Sequence, residues 1–295
     1  MIEIKRLKDC TIEEGVEAWN TGFEGYYFDA TTTADKFITR LVQEGLSPNL
    51  SIVAFLDKKP IGIIKNGIRE FNGQKLAWNG GTGVALELRK KGIGKMLMEE
   101  TLSILNKEQV DYASLEAISD NSKAISLYEK MGYEIVDHLE YLGLNGQLDR
   151  SYSAIPLVKY RVDRAVPQQI GLIPFYKGMN PWQTQWQSAK DGEAIIVKDL
   201  DGNQKGYAYF RRSFNNEGKH LNTVLYQCEV EPELERKDAE QLTRYLINEV
   251  FRSFTDDINR VIPNLPIAQS ALTHSVLKEI GFKSMTEQVY MIRKM

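Results

Sequence analysis

The alternation of apolar and polar positions in the first half of the chain predicts a regular succession of strands and helices. Period-two segments and short apolar runs indicate strands, and apolar positions spaced three and four apart indicate helices. The predicted strands cover residues 2–6, 51–56, 61–68, a segment that ends with Val84–Leu88, residues 110–117 and a segment that starts at Tyr133. The predicted helices cover residues 11–21, 33–44, 95–105 and 121–131, and Gly132 is a typical stop for the last of them.

The second half of the chain repeats this order of elements. Its predicted strands cover residues 194–199, 206–211, 222–230, a short segment from Val261 and a final segment from Phe282, and its predicted helices cover 237–253 and 267–280. A shift of 146 residues aligns Val84–Leu88 with Val230–Leu234, Arg89 with Glu235, Gly92 with Asp238 and Gly94 with Glu240. A shift of 149 aligns Leu127–Tyr128 with Val276–Leu277 and Gly132–Tyr133 with Gly281–Phe282. We interpret the pattern as an internal duplication.

Composition and charge narrow the class of protein. The 295 residues are 42% hydrophobic and 26% charged, which is enough to bury one large or two medium cores. A net charge of −3 argues against nucleic-acid binding as the main task. We expect no membrane span, because no long uncharged apolar window occurs, and we read the N-terminal MIEIKRLKDC as a strand. Cys10 and Cys228 lack metal-type spacing, so we expect unpaired thiols, no metal and a cytoplasmic location.

The candidate chemistry centres on the run Arg89-Lys90-Lys91-Gly92-Ile93-Gly94, between a predicted strand and a predicted helix. Glycines there let backbone N–H groups approach an anion closely. The positive end of the helix dipole adds attraction, as do the basic side chains of the run and Lys95. This combination suits a pyrophosphate.

The run has the form R-x-x-G-x-G and is followed about thirty residues later by Asn121-x-x-Ala124-x-x-Leu127-Tyr128-x-x-x-Gly132-Tyr133. The two motifs together resemble those of the GCN5-related N-acetyltransferases (GNAT). The resemblance covers about residues 1–145 well and residues 160–295 as a degraded second copy, and polar residues around 145–151 suggest a linker at 146–159. It implies an α+β fold of two GNAT-like domains, each a mixed, mostly antiparallel sheet flanked by helices.

The resemblance also implies an acetyl-CoA site in the first domain. Its predicted residues are Val84, Ala85, Leu86, Arg89, Lys90, Lys91, Gly92, Ile93, Gly94, Lys95, Met96, Asn121 and Tyr128. By resemblance, Tyr128 would be the general acid for the departing thiolate; its rival role is that of a core aromatic on an amphipathic helix. Lys90, Lys91 and Lys95 are either phosphate-facing or a solvated surface, and Asn121 is a helix N-cap, a ligand contact or both.

The general base is less visible. Glu87 and Glu116 lie near predicted strand ends, where a carboxylate could accept a proton through water or simply be solvated. The acceptor site is expected in the aromatic, acidic loop of residues 23–29, with Glu24, Tyr26 and Tyr27 as candidates. That loop either holds a cationic amine beside aromatic faces or plugs the first domain against the second.

The second copy has lost the chemistry of the first. Glu235, Asp238 and Glu240 repel a pyrophosphate and bring side chains where close approach is needed, and Leu277 removes the phenol. We therefore expect one active site, in the first half. The expected function is acetyl transfer from acetyl-CoA to a primary amine of a small molecule, by a monomer or homodimer. A silent acyl-CoA sensor and transfer of another acyl group are the alternatives.

Overall fold

The computed structural model describes residues 1–148, 159–252, 254 and 256–295. These residues form two compact units, the first made of Met1–Val136 with Tyr290–Met295 and the second of Asp137–Val289. The chain therefore leaves the first unit in the middle of a strand and returns to it for its last six residues. Most of the linker predicted at 146–159 lies outside the described residues.

The first unit has a sheet with helices packed on it. Its strands are β1 (Ile2–Arg6), β2 (Ile52–Leu56), β3 (Lys59–Phe71), β4 (Gln74–Val84) and β5 (Tyr112–Ile118). Its helices are α1 (Ile12–Gly22), α2 (Ala34–Glu44), α3 (Ile93–Lys107) and α4 (Ser122–Lys130). The sheet order is β1-β2-β3-β4-β5, followed by the end of the last strand of the chain. Successive strands pair antiparallel up to β4, and β4 pairs with β5 in parallel.

Local signals explain where these helices begin and end. The Thr11 side chain accepts a hydrogen bond from the backbone N–H of Glu14, whose carboxylate accepts one in return from the Thr11 N–H. This capping box satisfies two N–H groups that a helix otherwise leaves unpaired. Gly45 ends α2 in the left-handed conformation (φ 65°), which glycine adopts without a Cβ clash. Phe37 and Leu41 on the same face of α2 are buried, as the helical period predicts.

The second unit contains the remaining elements. Two strands cross the division between units: β6 (Glu134–Gly146) and β12 (Lys283–Lys294). The others are β7 (Tyr160–Ala165), β8 (Glu193–Asp199), β9 (Gln204–Phe214), β10 (His220–Val230) and β11 (Ile258–Pro266), with α5 (Pro167–Ile170), α6 (Arg236–Phe251) and α7 (Ala271–Ile280). The order β6-β11-β10-β9-β8-β7 contains one parallel pair, β10 with β11, among antiparallel ladders. The predicted α+β class with mostly antiparallel sheets is confirmed.

The predicted duplication is also confirmed in the element boundaries. β4 ends at Val84 and β10 at Val230, which are 146 residues apart, and α4 and α7 begin 149 residues apart, at Ser122 and Ala271. Both of these helices are followed by a glycine of positive φ, Gly132 or Gly281. In the described part of the chain, no helix has the length and apolar character needed to cross a bilayer.

Two parts of the chain differ from the prediction. The strand predicted to reach Leu88 ends at Val84, and Leu86–Leu88 forms a short 3-10 turn in which the Leu86 side chain is exposed. The apolar residues there resemble a strand because their side chains occupy alternate positions, but Leu86 has no core to cover. β7, α5 and two 3-10 turns, Trp182–Thr184 and Trp186–Ser188, lie in a segment for which the sequence predicted no elements.

Candidate active site

The candidate active site is built around the place where β4 and β5 separate. Their parallel ladder consists of three pairs, and the last of them joins Trp78 to Ser114. Beyond that pair both strands continue, to Val84 and to Ile118. We call the space beyond the last pair the β4–β5 gap. Backbone groups that line such a gap are not used up in a ladder between the two strands.

A bulge in β4 shapes the edge of this gap. Ile64 of β3 pairs with Thr82 and Asn66 pairs with Asn79, so that Gly80 and Gly81 together face the single residue Lys65. A Cβ on Gly80 would lie 2.7 Å from the Trp78 ring, and aromatic rings crowd Gly81 and Gly83 in the same way. Only glycine fits where rings lie directly on the backbone.

The two faces of β4 carry different chemistry. Asn79 and Thr82 point toward α3, where the Asn79 amide donates to the Met98 sulfur at 3.6 Å. The spaces above Gly80 and Gly81 point the other way and are filled by rings, among them Trp19 of α1. The gap thus connects a polar face beneath α3 with an aromatic face beneath α1 and α2.

A cavity of about 790 Å³ opens on the α3 face. Its lining comes from the α1–α2 loop, the end of β4, the start of α3 and the start of α4, and the residues are Gly22, Phe23, Gly25, Tyr26, Tyr27, Thr82, Val84, Leu86, Arg89, Lys90, Gly92, Gly94, Lys95, Asn121, Lys123, Ala124, Leu127 and Tyr128. We call it the α3 cavity. It is large enough for a drug-sized ligand.

One end of the α3 cavity carries groups that attract anions. α3 has 15 residues, and its N-cap is Gly92, in the left-handed conformation (φ 86°) without a capping side chain. No heavy atom lies within 4 Å of a Cβ placed on Gly92, so a ligand can reach the backbone there. Four basic side chains line the same cavity, namely Arg89, Lys90, Lys95 and Lys123. N–H groups without a capping side chain, the helix dipole and these charges all favour a phosphate group.

Arg89 has a second role that its motif position does not reveal. Its guanidinium donates to three backbone carbonyls, those of Val84 at 2.9 Å, Gly22 at 3.2 Å and Glu24 at 2.7 Å. The fork of donors therefore fastens the end of α1 and the loop after it to the end of β4.

The predicted acetyl-CoA residues divide into two groups. Val84, Leu86, Arg89, Lys90, Gly92, Gly94, Lys95, Asn121 and Tyr128 line the α3 cavity. Ala85 and Ile93 are buried in the core behind it, whereas the side chains of Met96 and Lys91 are exposed on its outer side. The Ala85 N–H is already used, because it donates to the Ile61 carbonyl at 2.8 Å.

Tyr128 lies at the other end of the cavity and is buried on α4. Its phenol shares a hydrogen bond with the Thr82 hydroxyl, and burial raises its pKa to about 12 despite that bond. The Asn79 amide donates to Thr82 Oγ1 at 2.8 Å, so the three side chains form one chain of contacts. Sequence reasoning found Tyr128 and missed Thr82 and Asn79; the signal was two polar residues within the glycine-rich strand segment 78–83.

Asn121 has the predicted role of helix N-cap, and it lines the α3 cavity. Its side-chain oxygen accepts from the Ala124 N–H at 3.3 Å and caps α4. Its side chain also hydrogen-bonds the phenol of Tyr26, and burial raises the pKa of that phenol. The amide thereby joins α4 to the α1–α2 loop over the α3 cavity.

The aromatic loop predicted to hold the acceptor lies mainly against the α3 cavity. Tyr26 and Tyr27 line it, and the Phe23 ring stacks on Trp19 of α1 at 4.1 Å between ring centroids. Glu24 contributes its backbone carbonyl to Arg89, and its side chain is exposed.

The two predicted bases occupy different surroundings. Glu87 is exposed on the 3-10 turn and is not among the described residues that line the α3 cavity. Glu116 is half-buried on β5, two residues beyond the last ladder pair, and its carboxylate accepts a hydrogen bond from Trp78 Nε1 at 2.7 Å. Since Trp78 and Gly80 share a face, Glu116 lies on the aromatic face of the gap.

The corresponding region of the second unit is filled by its own side chains. The Thr273 hydroxyl, on α7, donates to the Cys228 carbonyl of β10. The buried Glu229 carboxylate accepts from the Ser270 hydroxyl at 2.6 Å and pairs with Lys177 at 2.8 Å, while burial raises its pKa. In the second unit, side chains of α7 and of the residue before it therefore occupy polar groups near the end of β10, the strand that corresponds to β4.

The connection before the long helix is also shorter in the second unit, with residues 231–235 between β10 and α6 and residues 85–92 between β4 and α3. α6 begins at Arg236, three residues earlier than the 146-residue shift of Ile93 predicts, so Asp238 and Glu240 lie in its first turns. The acids that the alignment places over Gly92 and Gly94 therefore belong to a helix rather than to a loop. Among the residues described in either unit, no group of three or more His, Cys, Asp or Glu side chains is arranged to hold a metal.

Comparison with known proteins finds one family match, within the first half of the chain. Residues 10–133 match the model of the acetyltransferase (GNAT) family. None of the curated proteins with which the sequence was compared matches it.

Solved structures with the same fold match the chain over its whole length. A tandem GNAT protein from the clavulanic acid biosynthesis pathway has a TM-score of 0.62 and 12% identity, with 100% of this chain and 98% of that chain covered. A GCN5-related N-acetyltransferase from Sphaerobacter thermophilus has a TM-score of 0.60 and 13% identity, and the match covers 100% of this chain and 95% of that chain. The third structure is that of a fungal multi-domain GH3 β-N-acetylglucosaminidase with a glucosamine N-acetyltransferase region. Its TM-score is 0.66 and its identity 13%, and the match covers 99% of this chain but only 38% of that longer protein. At these identities the likeness establishes the tandem fold.

Proposed function

We propose that this protein transfers an acetyl group from acetyl-CoA to a primary amine, because residues 10–133 match the model of the acetyltransferase (GNAT) family. The observation that carries the proposal is the α3 cavity, which joins an uncapped helix N-terminus at Gly92 to the buried phenol of Tyr128. A pyrophosphate fits the first of these groups and a thiol leaving group fits the second.

Different groups of the protein would bind the two parts of the cofactor, the pyrophosphate and the pantetheine arm. The first-turn N–H groups of α3 and the side chains of Lys90, Lys95 and Lys123 would hold the pyrophosphate. Backbone groups of β4 beyond Trp78 would hold the pantetheine arm and donate to the developing oxyanion. Bound acetyl-CoA supplies the thioester carbonyl that the amine attacks.

Tyr128 would act on the leaving sulfur mainly as a hydrogen-bond donor. With a pKa of about 12, the phenol remains protonated throughout the working range of an enzyme. Full proton transfer to a thiolate whose conjugate acid has a pKa of about 8.5 would be uphill by several kcal/mol. A fixed donor in a buried site still stabilises the thiolate as the carbon–sulfur bond breaks.

Glu116 is the carboxylate best placed to accept the amine's proton. It faces the gap from the side opposite the α3 cavity, with its carboxylate held by Trp78. An ammonium group that enters beneath α1 and α2 would meet a carboxylate and aromatic faces, a combination that attracts cations. We therefore infer that the acceptor is a small cationic amine and that Glu116, rather than Glu87, is the base.

The proposal is tested by measuring thiol release from acetyl-CoA in the presence of a panel of primary amines, with the acetylated product identified by mass spectrometry. We expect amine-dependent release that disappears in Tyr128→Phe and Glu116→Gln variants. Tight acetyl-CoA binding without turnover of any amine would instead favour an acyl-CoA sensor. If thiol is released faster from longer acyl-CoA thioesters than from acetyl-CoA, the transferred group is a longer acyl group and not acetyl.

A further inference from the structure

The α1–α2 loop is held to the rest of the first unit by hydrogen bonds at both of its ends. At the start of the loop, the Arg89 guanidinium donates to the Glu24 carbonyl at 2.7 Å. At its far end, the Trp19 indole N–H donates to the Ala30 carbonyl at 2.8 Å. We call the five residues between these two fixed points, 25–29, the strap.

The strap begins with a residue that can serve as a hinge. Gly25 has a φ of 65°, in the left-handed region that glycine adopts without strain. Among the described residues, no heavy atom beyond its chain neighbours lies within 4 Å of a Cβ placed on Gly25. Further along the strap, Tyr27 and Phe28 are exposed to 55% and 59%. A segment with so little packing can open at a low cost in free energy while its fixed points stay in place.

One side chain of the strap reaches the opposite wall of the α3 cavity. The phenol of Tyr26 hydrogen-bonds the side chain of Asn121, at the start of α4, and both residues line the cavity. Three rings lie edge-on to the Tyr26 ring, with centroids 5.1–5.3 Å from it, and they belong to Phe23, Tyr27 and Phe28. Such edge-on contacts are favourable, so they support the orientation of the Tyr26 ring.

The contact between Tyr26 and Asn121 lies on the path of an extended ligand. The groups that attract a phosphate surround Gly92 at one end of the cavity, and Tyr128 lies at the other end. Tyr26 is close enough to Tyr128 for the two phenols to interact electrostatically. A pantetheine arm that joins a pyrophosphate near Gly92 to a thioester near Tyr128 must therefore pass the strap.

We propose that the strap is a gate that closes over the pantetheine arm of a bound CoA thioester, with the hydrogen bond between Tyr26 and Asn121 as its latch. The inference rests on the proposed function, because it takes the CoA site named there as given. The same bond closes the cavity before the arm enters and after it is bound. The latch should therefore slow both the entry and the release of the cofactor and leave its affinity nearly unchanged.

The test measures the association and dissociation rate constants of CoA on full-length protein by surface plasmon resonance. A neutral hydrogen bond contributes about 1 kcal/mol, so both rate constants should rise about fivefold in Tyr26→Phe. The calorimetric Kd should stay within a factor of about two. Tyr133→Phe is the matched control and should keep the wild-type rate constants. It removes a buried phenol that is not among the described residues lining the α3 cavity.

Limited proteolysis measures the opening of the strap directly. Chymotrypsin cleaves after aromatic residues, and Tyr26→Phe leaves the number of these sites in the strap unchanged. We expect CoA to protect the strap of the wild type, and we expect faster cleavage within residues 25–29 in Tyr26→Phe than in wild type, with and without CoA. Equal cleavage of the two proteins would refute the latch.

The outcomes separate the gate from the proposed function. If the wild type binds no CoA, the proposed function fails and the gate fails with it. If the wild type binds CoA and Tyr26→Phe shows the same two rate constants, the CoA site stands and the gate is refuted. Faster dissociation with unchanged association would make Tyr26 a ligand contact instead of a latch. Faster association alone would show that the bond does not close over bound CoA, which also overturns the proposal.

Discussion

The phenol of Tyr128 on α4 shares a hydrogen bond with the hydroxyl of Thr82 on β4, across the mouth of the β4–β5 gap. The bond joins a residue of the recognisable second motif to one within a glycine-rich strand. It places the phenol next to the backbone groups that the bulge leaves facing the cavity. A donor fixed from two elements loses little entropy when a leaving group arrives.

Removal of the phenol should slow turnover without weakening acetyl-CoA binding. We expect Tyr128→Phe to lower kcat by about 10²–10⁴ and to leave the calorimetric Kd for CoA within a factor of about two, because donors to a leaving group act mainly in the transition state. Since burial keeps the Tyr128 pKa near 12, the rate should show no loss from its ionisation below about pH 10.

Thr82→Val and the double variant Tyr128→Phe/Thr82→Val complete a double-mutant cycle for Tyr128 and Thr82. If the two side chains act as one unit, the double variant should be little worse than Tyr128→Phe alone. Tyr133→Phe, which alters a second buried phenol 6.1 Å from the Tyr128 ring between centroids, is the matched control and should retain activity. Equal kcat in Tyr128→Phe and wild type would remove Tyr128 from the mechanism.

Sequence alone predicted most elements of both halves because their periods are clear, but it did not predict β7 and α5. Helices with a single apolar face, such as α2, and strands bounded by turn residues, such as β2, lie within two residues of their predicted ends. The 3-10 turn at Leu86–Leu88 was missed because its apolar alternation imitates a strand. The start of α6 at Arg236 lies one residue before its predicted start at 237, although the gapless alignment with α3 would place that start three residues later.

The candidate site was predictable only where a local motif carries it. Gly92, Asn121 and Tyr128 lie in motifs and all line the α3 cavity. The partners of Arg89 and of Glu116 are set by the fold, 65 and 38 residues away in the sequence, and no local pattern encodes them.

Gly92 tests whether the α3 loop holds the anion. Gly92→Glu adds a negative charge and a side chain at a φ of 86°, so we expect CoA affinity by calorimetry to fall at least tenfold. Gly92→Asn is the matched control, because asparagine tolerates the left-handed conformation and adds no charge. Binding by Gly92→Glu as tight as by wild type would place the CoA site elsewhere, with the second unit as the first region to examine.

Arg89 tests whether a motif arginine holds the loop or the ligand. Its guanidinium donates to the carbonyls of Val84, Gly22 and Glu24, so Arg89→Ala should release the loop after α1 and speed its cleavage in limited proteolysis. CoA affinity should fall, yet its dependence on salt should change less than when a lysine of the cavity is removed, because backbone carbonyls already use the Arg89 donors. Arg89→Lys should not restore the loop, since an ammonium cannot reproduce a planar fork.

The control for that measurement is Lys123→Ala. Lys123 lines the α3 cavity and has no such fork of backbone contacts to provide, so its loss should weaken the salt dependence of CoA binding and leave proteolysis unchanged. If Arg89→Ala instead weakens the salt dependence while the loop stays protected, Arg89 is a phosphate ligand and the clamp is secondary.

Lys65 provides a prediction about stability. Its side chain is buried opposite the β4 bulge, with Nζ 3.5 Å from the centroid of the Trp19 ring, and burial lowers its pKa from 10.5 to about 6, with a smaller contribution from Arg40. The folded protein therefore releases this proton near pH 6, whereas the unfolded chain keeps it to about pH 10.5. Since the unfolded state binds more protons between these values, this group makes the free energy of unfolding rise with pH from about 6 to about 10.

Urea unfolding at pH 7 and pH 9 for wild type and Lys65→Met measures that contribution as a difference. Each pKa unit corresponds to about 1.4 kcal/mol, so wild type should gain more than 1 kcal/mol relative to Lys65→Met between the two pH values. Lys91→Met, at an exposed position of the α3 loop, should parallel wild type. If Lys65→Met shows the same pH dependence as wild type, the Trp19 ring holds Lys65 in the ammonium form and offsets the cost of burial.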